Sequence, residues 1–181
     1  MKEFWNKRYK SNPEKGSGPG SRGEYALKKQ EIVRNIIKEK EIKSVLDLGC
    51  GDLYWIKDLN IQHYTGVDYS DVIIERNKQL KPEWNFMVFD FSKEDLDLKA
   101  DLVLLIDVLI HQREKKSYLQ VWKNTLNNAK RVILVSSWEK EPVSHYENIF
   151  FHETIHDLLK DFDYKILYKY RESALAIVNL K

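Results

Sequence analysis

The stretch Val45-Leu46-Asp47-Leu48-Gly49-Cys50-Gly51 constrains this chain more than any other. It begins as a short apolar run, the pattern of a strand buried on both faces, and ends in a Gly-x-Gly turn. Glycines in such a turn let backbone N–H groups approach a ligand, because no Cβ stands in the way. Further on, Tyr64-Thr65-Gly66-Val67-Asp68 reads as a second strand closed by a carboxylate. A strand, a glycine turn and a strand-end acid about 20 residues on make the nucleoside-binding half of a Rossmann-like unit.

The same alternation continues down the chain. Strands are expected at Ser44–Leu48, Tyr64–Val67, Asn85–Asp90, Asp101–Ile106 and Arg131–Val135. A closing pair, Tyr164–Tyr170 and Ala174–Leu180, is joined by Arg171-Glu172-Ser173, short enough for a hairpin. Between them, apolar residues at helical spacing predict helices over Glu24–Lys40, Leu53–Leu59, a segment from the cap Ser70 to near Leu80, and Lys115–Ala129. Ile155, Leu158, Leu159 and Phe162 mark the face of a last helix. Alternating units of this kind build an α/β fold, a Rossmann-like three-layer sandwich around a mostly parallel sheet of seven strands. The terminal hairpin brings one antiparallel strand into it. A chain of 181 residues is expected to form one domain, with 1–23 as an N-terminal arm or lid and 24–181 as the core.

Charge and composition narrow the partners. Thirty basic residues against 28 acidic leave a net charge of +2, which disfavours a dedicated nucleic-acid binder. The single cysteine, Cys50, provides neither a disulfide framework nor a cysteine-cluster metal site. The longest apolar run, Leu102 to Ile110, is short and interrupted by Asp107, so no membrane span is expected. The charged start, with Lys2, Glu3, Lys7 and Arg8, lacks the apolar core of a signal peptide, and a cytoplasmic protein is expected. The sequence leaves the oligomeric state open.

Two N-terminal features admit more than one reading. Phe4, Trp5, Arg8 and Tyr9 share one side of a short helix, either packed on the body or acting as a lid over a ligand. Gly16-Ser-Gly-Pro-Gly-Ser-Arg-Gly23 is either a flexible linker or a loop that meets a polar ligand through its N–H groups.

Taken in order, these motifs resemble the class I S-adenosylmethionine-dependent methyltransferases from about Glu24 to the C-terminus. Val45-Leu-Asp-Leu-Gly-Cys-Gly51 is similar to that family's first motif, Tyr64-Thr-Gly-Val-Asp68 to its second strand, and Asp90-Phe91 to its third-strand pair. Asp107-Val-Leu-Ile-His111 resembles the segment after the fourth strand. The residue chemistry agrees. Tyr54 stands where a dinucleotide fold needs a third glycine, and Asp47 precedes the first glycine, an acid ill suited to a pyrophosphate. S-adenosylmethionine carries an amino group and a sulfonium, both positive, which carboxylates stabilise.

The resemblance implies S-adenosylmethionine as cofactor. Asp47, Gly49 and Gly51 would serve its methionine end, and Asp68 would accept both ribose hydroxyls. Asp90 would accept the adenine amino group, Tyr69 and Phe91 would offer apolar surface to the ring, and Asp107 would shape the pocket. The N-terminal block resembles a subset of small bacterial methyltransferases associated with surface-polysaccharide or small-metabolite modification. In that pattern Trp5, Tyr9 and the loop near Ser21 close over the cofactor. One departure stands out: many members carry a further glycine after Gly51, and this chain has Asp52.

For the acceptor, His111 and His145 are candidate bases able to take a proton from a hydroxyl or amine near neutral pH, His111 being alternatively a residue that caps or packs beneath the cofactor. The place after strand four lacks the Pro-Pro-aromatic word of nucleic-acid amino methylation, and Cys50 lies in the wrong turn for cytosine C5 chemistry. A small-molecule or carbohydrate acceptor is expected, with methylation at oxygen or at nitrogen. A binding protein that holds the cofactor without turnover is the alternative. His152-Glu153-Thr154-Ile155-His156 also satisfies the H-E-x-x-H pattern of zinc hydrolases on an expected helix. It precedes the last strands of an otherwise complete sheet, no placed third ligand follows, and no metal is expected.

Overall fold

A computed structural model describes residues 2–12, 14–143 and 147–180. The fold is α/β and Rossmann-like, and its seven strands follow the order β3-β2-β1-β4-β5-β7-β6. Two compact units divide the chain, Met1–Phe89 and Asp90–Lys181.

The first unit holds α1 (Lys2–Ser11), a 3-10 turn (Pro19–Ser21), α2 (Gly23–Glu39), β1 (Ser44–Leu48), β2 (His63–Asp68), α3 (Asp71–Leu80) and β3 (Asn85–Val88). β1 and β2 are parallel, with Val45 opposite Tyr64 and Leu48 opposite Val67. β2 and β3 are also parallel, with Asp68 opposite Val88. Parallel pairing aligns the C-terminal ends, so the glycine turn after β1 and the acid ending β2 reach the same edge. α3 starts where its cap residue sits: the Ser70 hydroxyl accepts from the Ile73 amide.

The helix expected over Leu53–Leu59 does not form; that stretch is a series of turns. Leu53 adopts φ 57°, in the left-handed region that an α-helix cannot pass through. The Trp55 carbonyl, which a helix would pair with the Leu59 amide, instead accepts from Gln30 Nε2 at 3.0 Å. The Leu59 amide bonds to Ile56. The apolar spacing still buries Leu53, Trp55, Ile56 and Leu59. The pattern identified a buried face and not the backbone that presents it.

The second unit holds β4 (Ala100–Leu105), a 3-10 turn (Leu109–His111), α4 (Lys115–Asn128), β5 (Ala129–Trp138), α5 (Ile155–Leu159), β6 (Tyr164–Tyr170) and β7 (Ser173–Asn179). β4 and β5 are parallel, and Leu102–Leu105 and Ile133–Val135 are fully excluded from water, as continuous apolar runs in a parallel sheet should be. β7 is antiparallel to both β5 and β6, so the hairpin predicted from Arg171-Glu172-Ser173 is present.

α5 is shorter than its apolar spacing implied. Thr154 caps it in a reciprocal box with Asp157, which starts the helix at Ile155. His152 and Glu153 therefore precede the helix, and the expectation that the whole H-E-x-x-H pattern lies on a helix is corrected.

Candidate cofactor and acceptor site

In the first unit the site is built on left-handed backbone. Gly49 and Gly51 take φ 77° and 54°, values that favour glycine. The Gly49 and Cys50 amides both donate to the Val67 carbonyl, at 2.7 and 3.1 Å, tying the turn to β2. Asp68 is 5% exposed and closes the arrangement. Its Oδ2 accepts from the Gly51 amide at 3.2 Å and its Oδ1 from the Ser70 amide at 2.9 Å. Burial raises the Asp68 pKa to about 6, against the lowering effect of those N–H donors. An ionised carboxylate has about four acceptor positions; the Ser70, Gly51 and Tyr69 amides draw on them and leave capacity for a ribose hydroxyl.

Asp47, 4% exposed, receives a hydrogen bond from Tyr64 Oη at 2.7 Å. Desolvation lifts its pKa to about 7; the Tyr64 bond works downward and the Asp68 charge adds to the rise. Two buried carboxylates that feel each other are costly to ionise together, and a cationic ligand relieves both. Burial, with the Asp68 and Asp47 charges behind it, also pushes the Cys50 thiol well up, which leaves it a poor nucleophile.

Sequence reasoning missed Asn77. It lies on α3, 1% exposed, and its Nδ2 donates to the Gly51 carbonyl at 2.7 Å. The available signal was a polar residue in line with Ile73 and Ile74 on the buried helical face.

The N-terminal segment is docked. Trp5 and Tyr9 are buried and stacked, with ring centroids 5.8 Å apart, against Ile73, with Tyr69 and Val72 alongside. Arg76 donates to the Tyr9 carbonyl at 2.7 Å, Asn6 to Asp71 at 2.8 Å, and Ser70 Oγ to Asn6 at 2.6 Å. Ser21 is buried within its 3-10 turn, and the fully buried Lys29 donates to Gly20 at 2.8 Å. The glycine-rich segment is held in place: Ser17 and Arg22 both bond to Asp52 beside the turn. Arg8 Nε reaches the Gly16 carbonyl at 2.7 Å.

In the second unit, Asp90 accepts from the Ser92 amide and hydroxyl and pairs with Lys93 at 3.0 Å. Partial burial works to raise its pKa, but the Ser92 hydroxyl and the Lys93 charge outweigh that and keep it below the ordinary value. Phe91 is buried, and its carbonyl accepts from Asn124 at 2.7 Å. Asp107 follows β4 at φ 58°, a strained value for a non-glycine residue. Its amide donates to Ser136 Oγ at 2.7 Å, and its carboxylate accepts from the Ser136 and Tyr170 hydroxyls.

His111 ends the 3-10 turn, with Nδ1 2.6 Å from the Asn148 carbonyl. A carbonyl only accepts, so in the neutral ring Nδ1 carries the proton and Nε2 is the basic nitrogen. The Phe150 amide donates to the Ile110 carbonyl, and Trp138 Nε1 donates to the Phe150 carbonyl, which ties Phe150 to that turn and to the end of β5. His145 lies outside the described residues.

The H-E-x-x-H residues point to separate partners: His152 to the Gln112 carbonyl, Glu153 to Lys115, and His156 to Tyr164 Oη. Among the described residues no group of three His, Cys, Asp or Glu side chains is placed to hold a metal ion. No helix among them is long and apolar enough to cross a membrane.

Solved structures share this fold at low identity. The magnesium protoporphyrin IX methyltransferase ChlM from Synechocystis PCC 6803 with bound S-adenosylmethionine is 18% identical, with a TM-score of 0.67 over 99% of this chain and 97% of that one. The N-methyltransferase NodS from Bradyrhizobium japonicum, in complex with S-adenosyl-L-homocysteine, is 13% identical, with a TM-score of 0.70 over 86% of each chain. DhpI, also in complex with S-adenosylhomocysteine, is 12% identical, with a TM-score of 0.69 over 98% of this chain and 93% of its own. No curated protein matches the sequence. A methyltransferase-domain family matches residues 39–172, a span that takes in the glycine turn, Asp68, Asp107 and His111, and the chain belongs to that family.

Proposed function

We propose that this protein transfers the methyl group of S-adenosylmethionine to a hydroxyl, or secondarily an amine, of a small-molecule or carbohydrate acceptor. The observation that carries the reading is the buried Asp68 carboxylate, which closes a glycine turn while its charge reaches buried Asp47. Paired acids at a strand end suit a ligand with vicinal hydroxyls and positive charge, and they repel a pyrophosphate. Bound there, S-adenosylmethionine supplies a sulfonium-activated methyl group for in-line displacement.

Within this reading Asp68 orients the ribose, and the Gly49–Gly51 turn with Asp47 receives the methionine end. Docked Trp5 and Tyr9, with the segment around Ser21, form the arm of a single domain spanning 1–181. In the second unit, His111 Nε2 takes the acceptor's proton, and the Asn148 carbonyl holds the ring in the tautomer that permits it. A structural neighbour that is an N-methyltransferase keeps an amine acceptor in view.

Calorimetry against S-adenosylmethionine and NAD tests the cofactor. Binding of the first and not the second is expected; the reverse would defeat the reading. Labelled methyl transfer into a panel of sugars, nucleotides and metabolites then tests turnover. Tight cofactor binding without any product would identify a non-catalytic binding protein.

A further inference from the structure

We infer that Asp52 is a positioning residue that latches the Gly16–Arg22 segment onto the glycine turn, and that this latch sets how long the cofactor stays bound. The second half of the inference rests on the turn being the cofactor's seat, as proposed above.

Asp52 gathers more of the arm than any other residue of the turn. Ser17 donates to it twice, from its amide to Oδ2 at 3.1 Å and from its hydroxyl to Oδ1 at 3.0 Å. The Asp52 amide donates back to Ser17 Oγ at 3.1 Å. With its proton committed to Asp52, Ser17 Oγ accepts from Tyr9 Oη, 3.3 Å away, which brings α1 into the same network. Arg22 pairs with the Asp52 carboxylate while its guanidinium lies 4.1 Å over the Tyr54 ring. The two charged side chains are only 22% and 16% exposed, so the pair is shielded from much of the screening that weakens surface ion pairs.

Two successive amides of the turn are therefore fastened by separate segments of the chain. The Gly51 amide goes to Asp68 at the end of β2, and the Asp52 amide goes to Ser17 of the arm. Fit is tight on both sides. A Cβ on Gly51 would overlap Ser17 Oγ, and one on Gly16, at φ 40°, would overlap the Asp52–Arg22 pair. Arm and turn therefore move together, and a ligand seated in the turn leaves only after the latch opens.

The test compares the unsubstituted protein with Asp52→Asn, Asp52→Gly, Arg22→Gln and the Asn–Gln double variant. Release of S-adenosylhomocysteine is read by stopped-flow tryptophan fluorescence, and amide exchange over residues 16–22 is read without ligand. Release is expected to quicken about tenfold in Asp52→Asn and Arg22→Gln and more in Asp52→Gly, because interface changes act mainly on dissociation. The double variant should match the single ones, since both break one pair. Single-turnover methyl transfer should hold its rate while KM for the methyl donor rises.

Loss of exchange protection in Asp52→Gly at an unchanged melting temperature supports the latch. Should Asp52→Gly fail to fold, Arg22→Gln carries the same reading from the arm side. Unaltered release and protection in the folded variants overturn the latch alone. Failure of the unsubstituted protein to bind S-adenosylhomocysteine overturns the cofactor reading, and with it the latch's role in residence time.

Discussion

Asp68 Oδ2 accepts from the Gly51 amide at 3.2 Å, so the acid that ends β2 closes the turn that follows β1. Its other oxygen takes the Ser70 amide and settles the entry to α3. One buried carboxylate thereby sets the geometry of the glycine turn and of the entry to the next helix. The same bonds that hold it in place favour its ionised form against the cost of burial.

Replacing Asp68 tests this double role. Asp68→Ala should weaken S-adenosylmethionine binding by about 2 kcal/mol or more, the order expected for losing charge-assisted hydrogen bonds. Asp68→Asn, which keeps an acceptor oxygen, should fall between. Calorimetry reads both, and unchanged affinity in Asp68→Ala would sink the ribose assignment.

The raised acids predict a direction with pH. Asp47 and Asp68 have folded pKa values near 7 and 6, above the ordinary 3.8, so the native state holds extra protons between about pH 4 and 7. Their contribution to stability is full below pH 4 and is lost as pH rises through 6 to 7. The unliganded protein should therefore lose stability across that window, by up to ~1.4 kcal/mol per pH unit for each group. Asp47→Asn should flatten the profile in denaturant titrations. A cationic ligand favours the ionised carboxylates, so S-adenosylmethionine should bind more tightly as pH rises through the same range. Affinity independent of pH from 5 to 8 would contradict this.

His111→Ala should cut kcat on a hydroxyl acceptor by roughly a hundredfold or more, the usual worth of general base catalysis, while leaving cofactor affinity intact. The acidic limb of the kcat profile should disappear with it. A variant that keeps both rate and limb would mark His111 as a packing residue.

Gly51→Ala should destabilise the protein by about 1–2 kcal/mol, since φ 54° is costly for any residue with a Cβ. The overlap with Ser17 Oγ adds to that. Thermal melts check the fold, and faster exchange at residues 16–22 would show the arm lifting.

Tyr170→Phe removes a buried donor from Asp107, whose backbone already sits at a strained φ. A loss of about 1–2 kcal/mol in unfolding free energy is expected, the order of one hydrogen bond to a half-buried carboxylate. Denaturant unfolding measures it, and a neutral result would mean that the Tyr170 bond adds nothing to stability.

Most of the fold could be read from local pattern. Apolar runs located the strands, Ser70 announced the start of α3, and Arg171-Glu172-Ser173 announced the hairpin, because each is encoded within a few adjacent residues. The glycine pair and the acid Asp68 could be read for the same reason: backbone geometry and strand ends are local properties. Partners across the chain could not. Spacing shows that Asn77 faces inward but not that it meets the Gly51 carbonyl, and it gives no hint that Tyr64 will bond Asp47. Asp52 looked like a mild departure from a glycine; tertiary packing made it the anchor of a segment 35 residues away. Leu53–Leu59 carried helical spacing, yet the turn's left-handed exit at Leu53 and the Gln30 bond to Trp55 overrode it. Periodicity records which face of a segment avoids water. Which groups meet there, and how the backbone bends to let them, depends on the strand register and on the close approach of distant segments, and only the folded chain settles those.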